Sequence, residues 1–157
     1  HYVYQKEHLL LAVPKSCSVN TRLQEYQIPI ETIHDGSFLS PEVLSVPLNS
    51  FANEPFIILR SDNDTGKRAL TICQENNFTP HTIFRLDQQM TAYNIACSGM
   101  GITFIGDLLL ASAPATSELI FYKLPGKNCN RNVSFYWKKG RYISRAMEEF
   151  LKIALPQ

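Results

Sequence analysis

The apolar positions of this chain fall into short continuous runs, each closed by a polar interruption. Residues 8–13 (HLLLAV) are apolar almost throughout, which predicts a strand buried on both faces and ended by Pro14. Residues 56–59 (FIIL) predict a second strand, residues 82–86 (TIFRL) a third and residues 102–105 (ITFI) a fourth. The stretch 83–105 organises the rest. It reads as strand, polar turn at Asp87, Gln88 and Gln89, and a helix in which Met90, Tyr93 and either Ala96 or Cys97 recur at near-helical spacing. Gly99 and Gly101 then stop the helix before the next strand. Residues 60–66 (RSDNDTG) form a second polar entrance of the same kind, in which Asp62, Asn63, Asp64 or Thr65 can cap the following helix. On that helix Ala69, Ile72 and Cys73 share one face, while Arg68, Thr71 and Glu75 are expected to turn outward. Two strand–cap–helix units in series, with short connections, predict parallel strands and right-handed crossovers in an α/β sheet covered by helices.

The flanking segments read less regularly. Asn20 is expected to cap a short helix over 21–26, and residues 31–47, with Asp35, Gly36, Pro41 and Pro47, read as a loop-rich excursion. Residues 50–55 form one helical turn, 119–124 and 133–137 two further strands, and 125–131 a polar crossing between lobes. Ser144 caps a terminal helix whose Met147, Phe150, Leu151 and Ala154 make an amphipathic stripe, with Glu148 and Lys152 placed to pair on its other face. The stripe is expected to pack, either on the main sheet or on residues encoded upstream of His1.

Length and apolar content, 157 residues and 45%, suit one sizeable core or two small lobes. With 15 basic and 14 acidic side chains, a large electropositive face for nucleic acid is not indicated, and the tract Lys138, Lys139, Arg141, Arg145 reads as solvated surface. Cys17, Cys73, Cys97 and Cys129 have no CxxC spacing, and Cys73 and Cys97 read as small core residues in a reducing cytosol. No apolar run reaches membrane-spanning length. The chain lacks a nucleophile elbow and a paired-histidine metal motif, and Gly99-Met100-Gly101 follows a helix rather than a strand, the wrong context for a phosphate loop. Asp62 and Asp64 read as caps before they read as a cation site. No enzyme, metal or cofactor is expected. What remains is a non-catalytic cleft in which two helix starts, each after a parallel strand, offer N–H and hydroxyl groups to a small polar or anionic ligand. The candidate contacts are Ser61, Asn63, Thr65, Gly66, Gln88 and Gln89, with Ile105 and Gly106 forming a third edge where backbone can approach a ligand closely.

At these residues the chain resembles the C-terminal part of the effector-binding domain of LysR-type transcriptional regulators. The resemblance rests on five segments in order: residues 9–14 (LLLAVP), 48–59 (LNSFANEPFIIL), 61–66 (SDNDTG), 86–105 and 135–151 (FYWKKGRYISRAMEEFL). It departs at Ile105-Gly106, where the family often has Leu-Pro, and in a longer loop from Cys17 to Pro47. It implies a fold like type 2 periplasmic binding proteins: residues 1–125 as effector-binding lobe II, and residues 126–157 as the strand and helix returning to an incomplete lobe I. The rest of lobe I and a winged helix-turn-helix would lie outside this chain. The implied partners are a small-molecule effector, DNA through the absent winged helix-turn-helix rather than this fragment, and further copies in a cytoplasmic homodimer or homotetramer, with no membrane. Alone, the fragment is expected to bind effector weakly or not at all. The competing reading is a solute-binding protein of a transporter, which shares the fold.

Overall fold

The long strand β1 (Tyr2–Pro14) runs through both compact units of the molecule. In the computed structural model, which describes residues 2–140 and 142–155, the larger unit comprises residues 8–129 and the smaller one the described residues of 2–7 and 130–155.

In the larger unit, residues 9–13 of β1 are fully buried, and alternate side chains serve opposite faces. Leu9, Leu11 and Val13 enter one core, Leu10 and Ala12 the other. The same division holds for β3 (Pro55–Leu59), with Phe56 and Ile58 against Ile57 and Leu59. It holds again for β5 (Ile102–Gly106), with Ile102 and Phe104 against Ile105. The strands β2 (Gln27–Ile28), β4 (His81–Leu86) and β6 (Leu119–Lys123) complete a sheet of order β2-β6-β1-β5-β3-β4. β3 runs parallel to both β4 and β5, as the serial strand–helix pattern predicts, whereas β1 is antiparallel to β5 and β6. As an edge strand with one neighbour, β4 leaves Ile83 and Phe84 partly exposed, flanked by exposed His81 and Arg85.

Helix α2 (Asp64–Glu75) buries Ala69, Ile72 and Cys73 in the first core. Helix α3 (Gln89–Cys97) buries Ala92, Tyr93 and Ala96 in the second, so the two helices cover opposite faces. A short helix α1 (Ile30–His34) occupies the start of the stretch expected to be loop, and α4 (Asp107–Leu110) covers most of the short helical continuation that the sequence suggests over 108–111, starting one residue earlier. Arg68 corrects the outward reading: its side chain is 11% exposed and its Nε donates to the Asn128 carbonyl at 2.9 Å. Asn20 caps no helix. It is buried, its Nδ2 donates to the Pro14 carbonyl, and its Oδ1 accepts the Tyr122 hydroxyl at 2.7 Å, while residues 18–22 and 24–26 form two 3-10 turns.

In the smaller unit, β7 (Asn130–Phe135) pairs with β1, and Trp137 lies beyond its end rather than within it. Tyr2 stacks on Trp137 and Tyr4 packs on Phe135, which extends β1 six residues upstream of the expected start. Glu7 is buried beside Arg131. Ser144 caps α5 (Arg145–Ala154) by accepting the Met147 N–H, as expected, but Lys152 pairs with Glu149 at 2.8 Å rather than with Glu148. The stripe on α5 stays largely exposed, with Phe150 resting edge-on against Phe135.

Gly66, in the first turn of α2, is where helix and strand come closest. A Cβ there would stand 2.3 Å from the Leu59 carbonyl oxygen and 2.4 Å from that of Arg60. Gly66→Ala must therefore move backbone and is expected to cost about 2–4 kcal/mol in urea unfolding. Gly36→Ala, at φ +79° but with nothing within 4 Å, is expected to cost only about 1–2 kcal/mol. Burial pushes the Cys73 and Cys129 thiols up to about 12. The unfolded chain then binds fewer protons than the folded one above the ordinary thiol range, so stability should fall as pH rises from about 9 toward 12. A pH series of urea melts on Cys73→Ala should show a shallower alkaline slope than wild type.

Candidate functional site

The chemistry gathers at the carboxyl ends of β3, β4 and β5. After Leu59, Arg60 donates its N–H to the Leu86 carbonyl at 2.9 Å, which holds the ends of β3 and β4 together. Asn63 takes extended backbone geometry and caps α2, its Oδ1 accepting the Thr65 N–H at 2.9 Å. Its Nδ2 reaches the Asp87 carbonyl at 3.4 Å, across to the start of α3. Gln88 is the N-cap of α3 but makes no side-chain capping bond.

The second link is Gln89. Its Nε2 donates to Thr65 Oγ1 at 3.1 Å, and its Oε1 accepts the Gly106 N–H at 2.9 Å. One amide thus connects the start of α2, the start of α3 and the end of β5. Although the helices lie on opposite faces, their starts meet past the strand ends. Asn63, Thr65, Gln89 and Gly106 are brought together.

Not all of the sequence candidates face solvent. Thr65 and Gly66 are buried, Gly66 against the β3 backbone; Ile105 is a core side chain, and the Gly106 N–H is already taken. Ser61 and Gln88 are exposed. Ser61 lies in an open hollow of about 520 Å³ with Arg60, Asp62, Leu70 and Arg85. Arg60 Nε sits 3.6 Å from Asp87 Oδ1 and 3.8 Å from Asp62 Oδ1, all well exposed, so these pairs hold the guanidinium only loosely. Arg60 and Arg85 are the groups that sequence reasoning passed over. Each stands at or next to the end of a parallel strand, and that position was the available signal.

Directly after Gly106, Asp107 holds His8: Oδ1 accepts the His8 backbone N–H at 2.9 Å and Oδ2 lies 2.7 Å from Nδ1. A separate apolar cavity of about 90 Å³, lined by Ile30, Tyr93, Leu110 and Phe121 among others, is too small for more than a very small molecule. Among the described residues no group of three or more His, Cys, Asp or Glu is placed to hold a metal ion, and no helix is long and apolar enough to cross a membrane.

An α/β unit with its polar groups at the carboxyl ends of parallel strands defines a ligand-binding class of fold. The family comparison makes it specific: the LysR substrate binding domain matches residues 38–157, and the chain belongs to that family. Its sheet has the type 2 periplasmic-binding-protein-like fold of effector domains in transcriptional regulators, and the family assignment decides against a transporter's solute-binding protein. The chain is 26% identical over 110 residues to the uncharacterized HTH-type transcriptional regulator YcgK of Bacillus subtilis (strain 168), covering 69% of this chain and 33% of that one. It spans about a third of the length of the curated relatives it matches. Among solved structures, the effector-binding domain of QuiR in complex with shikimate matches at TM-score 0.67 and 18% identity, over 98% of this chain and 62% of that one. The CcmR regulatory domain of Synechocystis PCC6803 in complex with 2-PG matches at TM-score 0.70 and 14% identity, over 98% and 64%.

The bridge carries its own test. Gln89→Ala removes two hydrogen bonds and leaves the buried Gly106 N–H unpaired, so a loss of about 1–3 kcal/mol is expected in urea unfolding. Gln88→Ala, exposed and uncapped, should change stability by less than about 0.5 kcal/mol. Amide exchange at Gly106 should quicken in the first variant alone.

Proposed function

We propose that this chain senses a small anionic effector for a DNA-binding transcriptional regulator, without catalysing a reaction. The ligand lies over the carboxyl ends of β3, β4 and β5, near Ser61, Asn63, Thr65, Gly66, Gln88, Gln89, Ile105 and Gly106. The single observation that carries this reading is the meeting of two helix starts at one strand edge, joined through Gln89. Of the candidate residues, Ser61 and Gln88 have side chains free to turn toward a ligand, with Arg60 beside them; the others shape the floor. A guanidinium suits a carboxylate, which it can grip with two parallel hydrogen bonds. The effectors named with related domains, shikimate and benzoate, carry that group.

In this reading the larger unit, residues 8–129, corresponds to lobe II, and the smaller one, described over 2–7 and 130–155, to the part that returns to lobe I, a division a few residues beyond the one expected after residue 125. The remaining lobe I contacts and the winged helix-turn-helix belong to other parts of the regulator, which acts in the cytoplasm as a dimer or tetramer. Effector binding shifts the closure of the lobes only as far as it favours one arrangement over the other.

Calorimetric titration with shikimate, benzoate and inorganic phosphate tests the reading in the intact regulator. At least one of these anions should bind, and Arg60→Ala or Ser61→Ala should weaken it about tenfold or more, the loss of a charge-assisted hydrogen bond. This chain alone should bind the same anion more weakly. Unchanged affinity in both variants, or equal affinity in the chain and the intact regulator, would overturn it.

A further inference from the structure

The open hollow past the ends of β3 and β4 has a volume of about 520 Å³, within the range of small-molecule sites, and is lined by Arg60, Ser61, Asp62, Leu70 and Arg85. Strand register brings Arg85 into it. Arg85 stands opposite Ile58 of β3, whose side chain enters the core beneath α2, so Arg85 emerges on the same face of the sheet as Leu70 of that helix.

The lining holds two guanidinium groups and one carboxylate, and the two cations are not equivalent. Arg60 has Asp62 and Asp87 beside it, at 3.8 and 3.6 Å, so its charge is balanced where it stands. Arg85 is exposed and forms no ion pair or side-chain hydrogen bond among the described residues. The hollow therefore carries one uncompensated positive charge, at Arg85. One carboxylate neutralises it. A second negative charge on the same ligand would meet Asp62 with no free cation to face it. Leu70 adds a further requirement. Half-buried against the first core, it is the one apolar wall of an otherwise polar hollow. An apolar body laid against it leaves water, whereas a solute that is hydroxylated or charged all round loses hydration there without return.

We infer that, given the anionic effector proposed for this edge, Arg85 is a specificity-determining residue and selects a monocarboxylate with an apolar face. Its guanidinium grips the carboxylate, the Ser61 hydroxyl and the Arg60 N–H groups add donors, and Leu70 receives the apolar face. Asp62 acts in the opposite sense and turns away dianions.

Calorimetric titration of the intact regulator with three probes separates these contributions. Benzoate and formate share one charge and differ by the ring; benzoate and phthalate share the ring and differ by one carboxylate. Benzoate should bind at least about tenfold more tightly than either. Arg85→Gln should weaken benzoate about tenfold or more, the loss of a charge-assisted hydrogen bond. Asp62→Asn should raise the affinity for phthalate relative to benzoate about tenfold, which a merely structural role for Asp62 would not do. Leu70→Ala should bring benzoate down toward formate; Arg85→Gln and Asp62→Asn, both at exposed positions, decide the matter if that variant fails to fold. Tighter binding of phthalate than of benzoate to wild type, or unchanged benzoate affinity in Arg85→Gln, would overturn the inference. If Arg60→Ala or Ser61→Ala still weakens an anion in that case, the anion-sensing reading stands without it; if no anion binds at all, both fall.

Discussion

The side-chain amide of Gln89 is the interaction on which the candidate site depends. Helices α2 and α3 lie on opposite faces of the sheet, separated by its thickness, and can meet only beyond the strand ends. Gln89 makes that meeting specific, because a carboxamide alone among the short polar side chains offers a donor pair and an acceptor from one rigid plane. One N–H of the pair donates to Thr65, and the oxygen accepts from Gly106. The position of Thr65 depends in turn on its neighbour Gly66, which lets the first turn of α2 press onto the β3 backbone. Packing at one residue thus sets the polar geometry at the next.

That hierarchy decides which groups a ligand can use. Satisfied polar groups cost energy to redirect, whereas exposed ones exchange partners with water at little cost. Thr65 and the Gly106 N–H are satisfied, so they act as scaffold. Arg60, Ser61 and Gln88 are held only by loose or absent contacts and can turn toward a solute. The same distinction separates Arg68 from Arg60. Both are cations near the start of α2, but Arg68 is committed to the Asn128 carbonyl and to Asp64.

The central strands were legible in the sequence because a strand buried on both faces must be apolar at every position, and few other structures require that of so short a run. Residues 9–13 and 56–59 show it plainly; residues 102–105 admit one polar side chain, Thr103, whose hydroxyl donates to the Ile57 carbonyl at 3.0 Å. The first residues of β1 were not legible, since Gln5, Lys6 and Glu7 look like solvent-facing positions until Arg131, more than a hundred residues later, arrives to pair with Glu7. Asn20 was misread for a related reason. An asparagine ahead of a polar stretch resembles a cap, and only the return of Tyr122 to its side chain reveals a buried bracket. At the site, the polar entrances stood out against the apolar runs before them. Which side chains turn inward did not, because that follows from strand order: β5 lies beside β3, so Gly106 comes within reach of Gln89.

Beyond Gly106 the bonded series continues through Asp107, which grips both the backbone and the ring of His8, where β1 passes from one unit to the other. Magnitudes indicate which acceptor such a series favours. The Gln89 links are neutral hydrogen bonds, each worth about 1 kcal/mol net, whereas bonds to a charged group are worth about 1.5–3 kcal/mol. The Gln89 Nε2 carries two N–H groups, and the Thr65 hydroxyl takes only one of them, so an acceptor arriving at this edge can take the other while the links to Thr65 and Gly106 both hold; a charged acceptor gains more from that N–H than a neutral one.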